Sequence, residues 1–422
     1  MTSSAIEIAK ELKYSSMGTV EFIVDDSLNY YFLEVNTRLQ VEHPVTEMIT
    51  GLDLVRMQIE IAEGKELSLK QEDIKVNGHA IESRIYAEDP GNNFLPCTGK
   101  ILAWREQEFP GVRYDSGVET GSNVDVFYDP MLAKVIAHGS SRQECLKKLN
   151  HALKNLTILG ITNNKEFLTD VLNNPDFIAG NFDTNFISRH FPDYKKPAEL
   201  KDVYEFAVAA MVWEWKIRDA QRTVLKHMPS GWRNNFYQPQ TETYLFDLPA
   251  KAIAQAGAKQ IKLEYRNHGE NKFTVQINRD EGQETSDDEK YKVEFISLCD
   301  NQLSCLINGN LKFFVIAEKE GSIYVHGNEQ GCIEFTKESK LIRQLADKIV
   351  DGTYTSPMPG EVVKILAKTG KRVKAGEQLL IINSMKMENA IEAQADGVVD
   401  EIFVEEKAFV EADTLLLKVR SL

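Results

Sequence analysis

Lys386 stands between two methionines in the run Asn383-Ser384-Met385-Lys386-Met387-Glu388. Held out at a turn, a lysine amine is a nucleophile open to acylation, so Lys386 is a candidate for carrying a covalent prosthetic group. An ordinary exposed lysine is the plainer reading of the residue taken singly. Far away in sequence, Glu21 and Glu34 lie in two β-branched and aromatic segments, residues 18–24 and 30–36. The turn-like residues 25–29 between them predict an antiparallel hairpin. Folding about Ser27-Leu28 sets Glu21 opposite Glu34 on one face. Like charges facing across a ladder work against roughly 0.2–1 kcal/mol of favourable pairing. A divalent cation would neutralise them, with Asn36 two residues beyond Glu34 as a third oxygen ligand. A solvated hairpin face with a shifted register is the alternative. Arg38, Gln40 and Glu42 follow at alternate positions, and an extended segment would aim all three the same way. An arginine fork suits a small planar oxyanion, and a neighbouring carboxylate can take a proton.

The elements that must position Lys386 form a repeat. Shifting the chain by 37 positions lays Gly360, Val362, Ile365, Val373, Ala375, Leu379, Leu380 and Ile382 on Gly397, Val399, Ile402, Val410, Ala412, Leu416, Leu417 and Val419. Two β-rich halves of this kind predict a flattened barrel with a pseudo-two-fold axis, each half covering the apolar face the other exposes. Lys386 then falls on the hairpin that joins the halves. A middle region opens with a helical pattern, residues 203–213, before Pro229-Ser230-Gly231. Short alternating strands such as 272–277 and 312–316 follow, predicting a helix against an antiparallel barrel of six to eight strands. Trp213, Trp215 and Trp232 read as core or interface anchors.

Composition sets outer bounds. The 422 residues are 42% hydrophobic and 27% charged, enough for two to four globular domains. No apolar run reaches membrane-spanning length, and the first residues lack a signal or transit pattern. The five scattered cysteines form no CxxC pair, which points to a reducing compartment and away from a zinc site or disulfide framework. A net charge of -15 gives no footprint for nucleic acid.

Two strings carry a resemblance to a known family. Pro357-Met358-Pro359-Gly360 followed by Met385-Lys386-Met387 resembles the attachment site of biotin carboxyl carrier domains; lipoyl domains share the architecture but usually show Asp-Lys-Ala. Glu34-Val35-Asn36-Thr37-Arg38-Leu39-Gln40-Val41-Glu42-His43-Pro44-Val45-Thr46-Glu47 resembles the signature of biotin carboxylases of the ATP-grasp superfamily. The likeness continues through Gly78-His79-Ala80-Ile81-Glu82-Ser83-Arg84-Ile85, Ala87-Glu88-Asp89-Pro90, Tyr128-Asp129-Pro130-Met131-Leu132-Ala133-Lys134 and Gly160-Ile161-Thr162-Asn163-Asn164. It implies that Glu21, Glu34 and Asn36 bind the Mg2+ (or Mn2+) of ATP, and that Arg38, Gln40 and the Val41 backbone bind bicarbonate. Glu42 would be the base and Arg84 the group that stabilises the enolate form of biotin, itself covalently attached to Lys386.

The fold class expected is multidomain α+β, similar to biotin-dependent acyl-CoA carboxylase α subunits. Residues 1–75 are expected to be the C-terminal part of an ATP-grasp subdomain and 76–197 a biotin carboxylase C-terminal domain. Residues 198–345 would be a helix plus β-barrel assembly domain, 346–355 a weakly packed linker, and 356–422 the flattened β-barrel biotinyl carrier. Gly231-Trp232-Arg233-Asn234 and Gly321 to His326 look more like the methylcrotonyl-CoA than the propionyl-CoA type. The implied partners are a carboxyltransferase β subunit, in a hetero-oligomer, and a biotin protein ligase; no nucleic acid or membrane is implied. The location expected is cytoplasmic, or the mitochondrial matrix in a eukaryote. Biotin carboxylases carry a nucleotide-binding subdomain and glycine-rich lid ahead of this point, and no Walker A or GxGxxG run occurs here. The chain is therefore expected to be a C-terminal piece that does not turn over ATP alone. A non-enzymatic biotin carrier and docking module is the rival class. A pyruvate carboxylase fragment fits less well, because residues 198–345 are too few for that enzyme's carboxyltransferase barrel.

Overall fold

The computed structural model describes all residues except 26, 68, 195–199, 225–227, 229–237, 247–258, 270, 279–289, 328–330, 338–351, 385–386, 413 and 422. The chain divides into two compact units. One comprises Met1–Arg84, Glu108–Asp115 and Lys134–Ala152; the other comprises Ile85–Gln107, Ser116–Ala133 and Leu153–Leu422. This division cuts through the predicted 76–197 segment, because its strands His79–Tyr86, Val112–Ser116 and Met131–Gly139 each contribute residues to both units.

In the first unit, strand Thr19–Val24 pairs with Tyr30–Asn36, as the hairpin pattern predicts. The turn is tighter than expected. Val24 pairs with Tyr30, which centres the reversal on Ser27, and Asp25 Oδ1 accepts hydrogen bonds from the backbone of Ser27 and Asn29. A bulge at Leu33 then shifts the register by one and restores Glu21 opposite Glu34. The hairpin has no buried residue, and Ile23, Tyr31, Phe32 and Leu33 are each more than half exposed. Helix His43–Thr50 follows, with Pro44 in its first turn and Gly51 closing it at φ 73°.

In the second unit, eight antiparallel strands from Gln240–Phe246 to Gly331–Lys337 close into a barrel. Helix Leu200–Gln221 is enclosed by it, which corrects the expectation of a helix lying against the barrel. Seven successive residues, Phe206 to Val212, have no exposed surface, and seven residues turn the helix through nearly two revolutions, so every face is covered. The small side chains Ala207, Ala209 and Ala210 give the helix the slender waist this requires. Trp213 and Trp215 are core residues, as read; Trp232 and Pro229-Ser230-Gly231 lie outside the described residues. Where the helix leaves the core, a polar cluster sits in the wall. Arg218 donates to Glu242 at 3.1 Å and to the Tyr265 hydroxyl at 3.2 Å, Tyr244 donates to Glu214, and Lys337 Nζ lies 2.6 Å from Glu214 and 3.5 Å from Glu242. Among the described residues no helix is long and apolar enough to cross a membrane.

The C-terminal region forms two four-stranded sheets. The 37-residue shift holds strand by strand: Gly360–Ile365 maps to Gly397–Ile402, Arg372–Val373 to Phe409–Val410, and Gln378–Ser384 to Leu415–Ser421. Each half's short strand joins the other half's long one, Phe409–Val410 on Gly360–Ile365 and Arg372–Val373 on Gly397–Ile402. That exchange makes the halves two-fold related. The repeat extends to the bulges, after Val362 and after Val399, and to the left-handed turn residues Gly370 (φ 82°) and Lys407 (φ 67°). The core pairs likewise, Val362 with Val399 and Leu380 with Leu417, all at most 1% exposed. The linker expectation is corrected at its end: Thr353–Thr355 is a strand on Leu415–Ser421, with Tyr354 buried in the core, so the carrier fold begins earlier than residue 356. Residues 349–351 lie outside the described residues.

Candidate functional site

The hairpin brings Glu21, Glu34 and Asn36 together. Asn36 Nδ2 donates to Glu21 at 2.7 Å and to Glu34 at 3.1 Å, and Gln40 Nε2 donates to Glu21 at 3.0 Å. Two amides thus offer N–H groups where the facing carboxylates need positive charge. The donor set fits a hard divalent cation: two carboxylates at the end of a bulged strand pair, and an amide that presents Oδ1 once it turns over. The described residues contain no cluster of three or more His, Cys, Asp or Glu side chains that could hold a metal, so any cation here would rely on the amide.

Arg38, Gln40 and Glu42 do not align. Residues 37–42 form no strand, because the chain is already turning into the helix: Gln40 O accepts from His43 N at 3.3 Å, and Glu42 O from Val45 N at 3.1 Å. The period-two expectation fails for that reason. Gln40 turns to the hairpin carboxylates, Arg38 is exposed with Nη1 on the Leu39 carbonyl at 3.3 Å, and Glu42 meets Arg84. Arg84 Nη2 donates to Glu42 Oε2 at 2.6 Å across 42 residues of sequence. The two side chains are 38% and 51% exposed, and an ion pair so exposed contributes only about 0–1 kcal/mol to stability. Its value to the fold is small.

Around this pair lie residues to which the sequence by itself assigns no role. Lys134 Nζ donates to the Val41 carbonyl at 3.1 Å and lies 3.2 Å from Asp115. Arg113 Nη1 donates to the buried Glu47 at 2.6 Å, while its Nε donates to Asp115. Glu47 Oε1 in turn accepts from Leu54 N, which pins the following helix, Leu54–Ala62. Glu82 has a side chain only 5% exposed, 3.8 Å from Arg84 Nε, and neither oxygen accepts a hydrogen bond among the described residues. Burial pushes its carboxyl up to about 7, against the attraction of Lys134 and Arg84 and with the help of Glu42 and Asp115. The signal was present: Glu82 and Arg84, like Arg113 and Asp115, are two apart on a strand and so share a face.

Lys386 lies outside the described residues. The strands flanking it, Gln378–Ser384 and Met387–Glu392, pair as far as Ser384 with Met387. Ser384 Oγ donates to the Pro359 carbonyl at 2.8 Å, and Asn389 Nδ2 lies 3.6 Å from the buried Met358 sulfur, so the Pro-Met-Pro-Gly run braces both strands.

Comparison with known families matches residues 82–189 to the biotin carboxylase C-terminal domain, 1–70 to the ATP binding domain of the carbamoyl-phosphate synthase L chain, and 352–419 to the biotin-requiring enzyme family. The chain is homologous to the α chains of propionyl-CoA and methylcrotonoyl-CoA carboxylases. The mitochondrial propionyl-CoA carboxylase alpha chain of Mus musculus is 36% identical over 416 residues, covering 94% of this chain and 54% of the relative. The mitochondrial methylcrotonoyl-CoA carboxylase subunit alpha of the same organism is 34% identical over 413 residues, covering 96% and 56%. A Campylobacter jejuni biotin carboxylase structure covers 44% of this chain and 42% of its own at 44% identity, with a TM-score of 0.43. The chain spans about half the length of the curated relatives it matches.

Proposed function

We propose that this chain supplies the biotin-carboxylating and biotin-carrying parts of an acyl-CoA carboxylase α subunit, a ligase that uses ATP and bicarbonate. The observation that carries the reading is the Glu42–Arg84 pair, drawn together across 42 residues beside the carboxylate hairpin, although its exposure gives the fold little in return. In this reading Glu21, Glu34 and Asn36 hold magnesium or manganese, which would neutralise nucleotide phosphate charge. Arg38, Gln40 and the Val41 backbone take bicarbonate, once Gln40 leaves Glu21 and Arg38 swings in. Glu42 accepts the bicarbonate proton at a carboxylate oxygen, and Arg84 faces the negative charge that develops on the acceptor. Biotin on Lys386 would supply the nitrogen that carries the carboxyl group between sites. The partners in this reading are a biotin protein ligase and a carboxyltransferase β subunit. Relatives of both acyl-CoA types match at 36% and 34% identity, which gives no support to 3-methylcrotonyl-CoA over propionyl-CoA, so the substrate in this reading is an acyl-CoA.

Coexpression with a biotin protein ligase tests the carrier half. One biotin should be added, and Lys386→Arg should remove it; biotinylation that survives the substitution overturns the assignment. A second reading, a carrier and docking module without catalysis, draws on the exposed apolar face of the hairpin. The isolated chain should then bind biotin ligase yet release no bicarbonate-dependent phosphate from ATP; phosphate release would exclude it.

A further inference from the structure

Arg84 lies between two carboxylates that contend for it. Its Nη2 donates to Glu42 at 2.6 Å, and its Nε stands 3.8 Å from Glu82. Glu82 and Arg84 share a face of strand His79–Tyr86, so the approach is built into the strand and survives any motion of residues 37–42. The strongest clasp a carboxylate can make on the Nε edge of a guanidinium uses Nε together with Nη2. Nη2 is the atom now on Glu42. Nη2 carries a second N–H, but Nε must close from 3.8 Å to hydrogen-bond distance to complete that clasp, so a full hold on Glu82 competes with the present short bond to Glu42.

The surroundings of Glu82 decide which one it serves. The side chain is 5% exposed, and no described residue gives either oxygen a hydrogen bond. A buried carboxylate without donors is expensive, so the neutral acid is the form that suits the arrangement seen. The charged groups that act on it are Lys134 from strand Met131–Gly139, Asp115 from Val112–Ser116, Glu42 ahead of helix His43–Thr50, and Arg84 on its own strand. Lys134 exerts the larger attraction on Glu82 but is held by Asp115 and the Val41 carbonyl, whereas Arg84 Nε stands 3.8 Å from the Glu82 carboxyl. These opposing influences place the titration of Glu82 at about 7, inside the range where a base for bicarbonate must work.

We propose that Glu82 is a positioning residue of the carboxylating site: when it loses its proton it draws Arg84 off Glu42, and so frees Glu42 to act as a base. With Glu82 neutral, Arg84 covers Glu42, as observed. With Glu82 ionised, the guanidinium is clasped along Nε and Nη2, and the Glu42 carboxylate is left open beside it. This rests on the reading of Glu42 as base and Arg84 as its neighbouring cation; it needs no substrate to be tested.

The test uses the whole 422-residue chain with glutamate labelled with 13C at the side-chain carboxyl, the Glu42 and Glu82 signals being assigned by Glu42→Gln and Glu82→Gln. Between pH 6 and pH 8 the Glu82 signal should titrate with a midpoint of about 7, and the Glu42 signal should move with the same midpoint. In Glu82→Gln, whose amide imitates the neutral acid, the Glu42 signal should stay at its low-pH position throughout. A residue that merely fills space would leave Glu42 insensitive to pH in the native chain, and that result overturns the proposal. So does a Glu82 midpoint in the ordinary carboxylate range. Should Glu82→Gln fail to fold, Glu82→Asp assigns the Glu82 signal in its place, and the native chain then decides both points. Loss of biotinylation at Lys386 would strike the carrier reading and leave this coupling untouched.

Discussion

The hairpin Thr19–Val24/Tyr30–Asn36 and the two-fold C-terminal fold support the surroundings of their candidate functional residues by opposite means. The hairpin holds three candidate ligands within hydrogen-bond reach of one another but has no buried residue of its own. The carrier surrounds the strands flanking Lys386 with a core that includes Val362, Leu379, Leu380, Ile382, Leu416 and Leu417, all without exposed surface. Fully burying such a side chain contributes about 1.5–3 kcal/mol, so the carrier can stand on its own core. The hairpin depends on what packs around it. Local pairing is enough to set a register, but only a closed core makes a register rigid.

The sharpest way to break the comparison is at Lys386. Replacing it with arginine should abolish biotin incorporation while leaving the carrier's unfolding transition in place, as mass spectrometry and thermal melting would show. Glu242→Ala comes next: it strips two cations in the barrel wall, Arg218 and Lys337, of a buried carboxylate. About 1.5–3 kcal/mol should be lost, since both cations stay partly solvated and Lys337 keeps Glu214, read by denaturant unfolding, and the carrier should be unaffected. A Cβ at Gly397 would lie 2.5 Å from the Val419 side chain and 2.7 Å from the Arg420 carbonyl. At Gly360 it would lie 2.6 Å from the Asn383 carbonyl, the two-fold counterpart. Alanine at either position should cost the carrier about 1–3 kcal/mol, in like amounts. Unequal losses would break the two-fold account.

Glu82 gives a dependence on pH in the first unit. Its folded value of about 7 exceeds the ordinary glutamate value of 4.5, so the native state binds the extra proton between them. Stability should therefore fall as pH rises from about 4.5 to about 7, and Glu82→Gln should flatten that slope. The smallest effect belongs to the hairpin's outer face. Phe32→Ser, at a residue 55% exposed, should change stability by no more than about 0.5 kcal/mol, checked by the same melts. A loss of several kcal/mol would mean that the face is covered after all.

Much of this was legible in the chain. Spacing alone gave the two-fold barrel, because a repeat of 37 residues whose apolar positions coincide leaves few ways to bury both halves. Alternation gave the hairpin and the facing of Glu21 and Glu34. What spacing could not show was how that facing arises: a tighter turn and a bulge at Leu33 cancel, and both depend on backbone conformation. Nor could it show that Arg38, Gln40 and Glu42 part company, since the helix start at His43 bends the segment they share. The helix of residues 200–221 has the composition of a core helix, yet only closure of eight strands around it put it inside a barrel. Arg84 and Glu82 were in plain view two residues apart. Their rivalry with Glu42 exists only in three dimensions, because burial and an approach across 42 residues are properties of packing, and packing is decided by the whole chain at once.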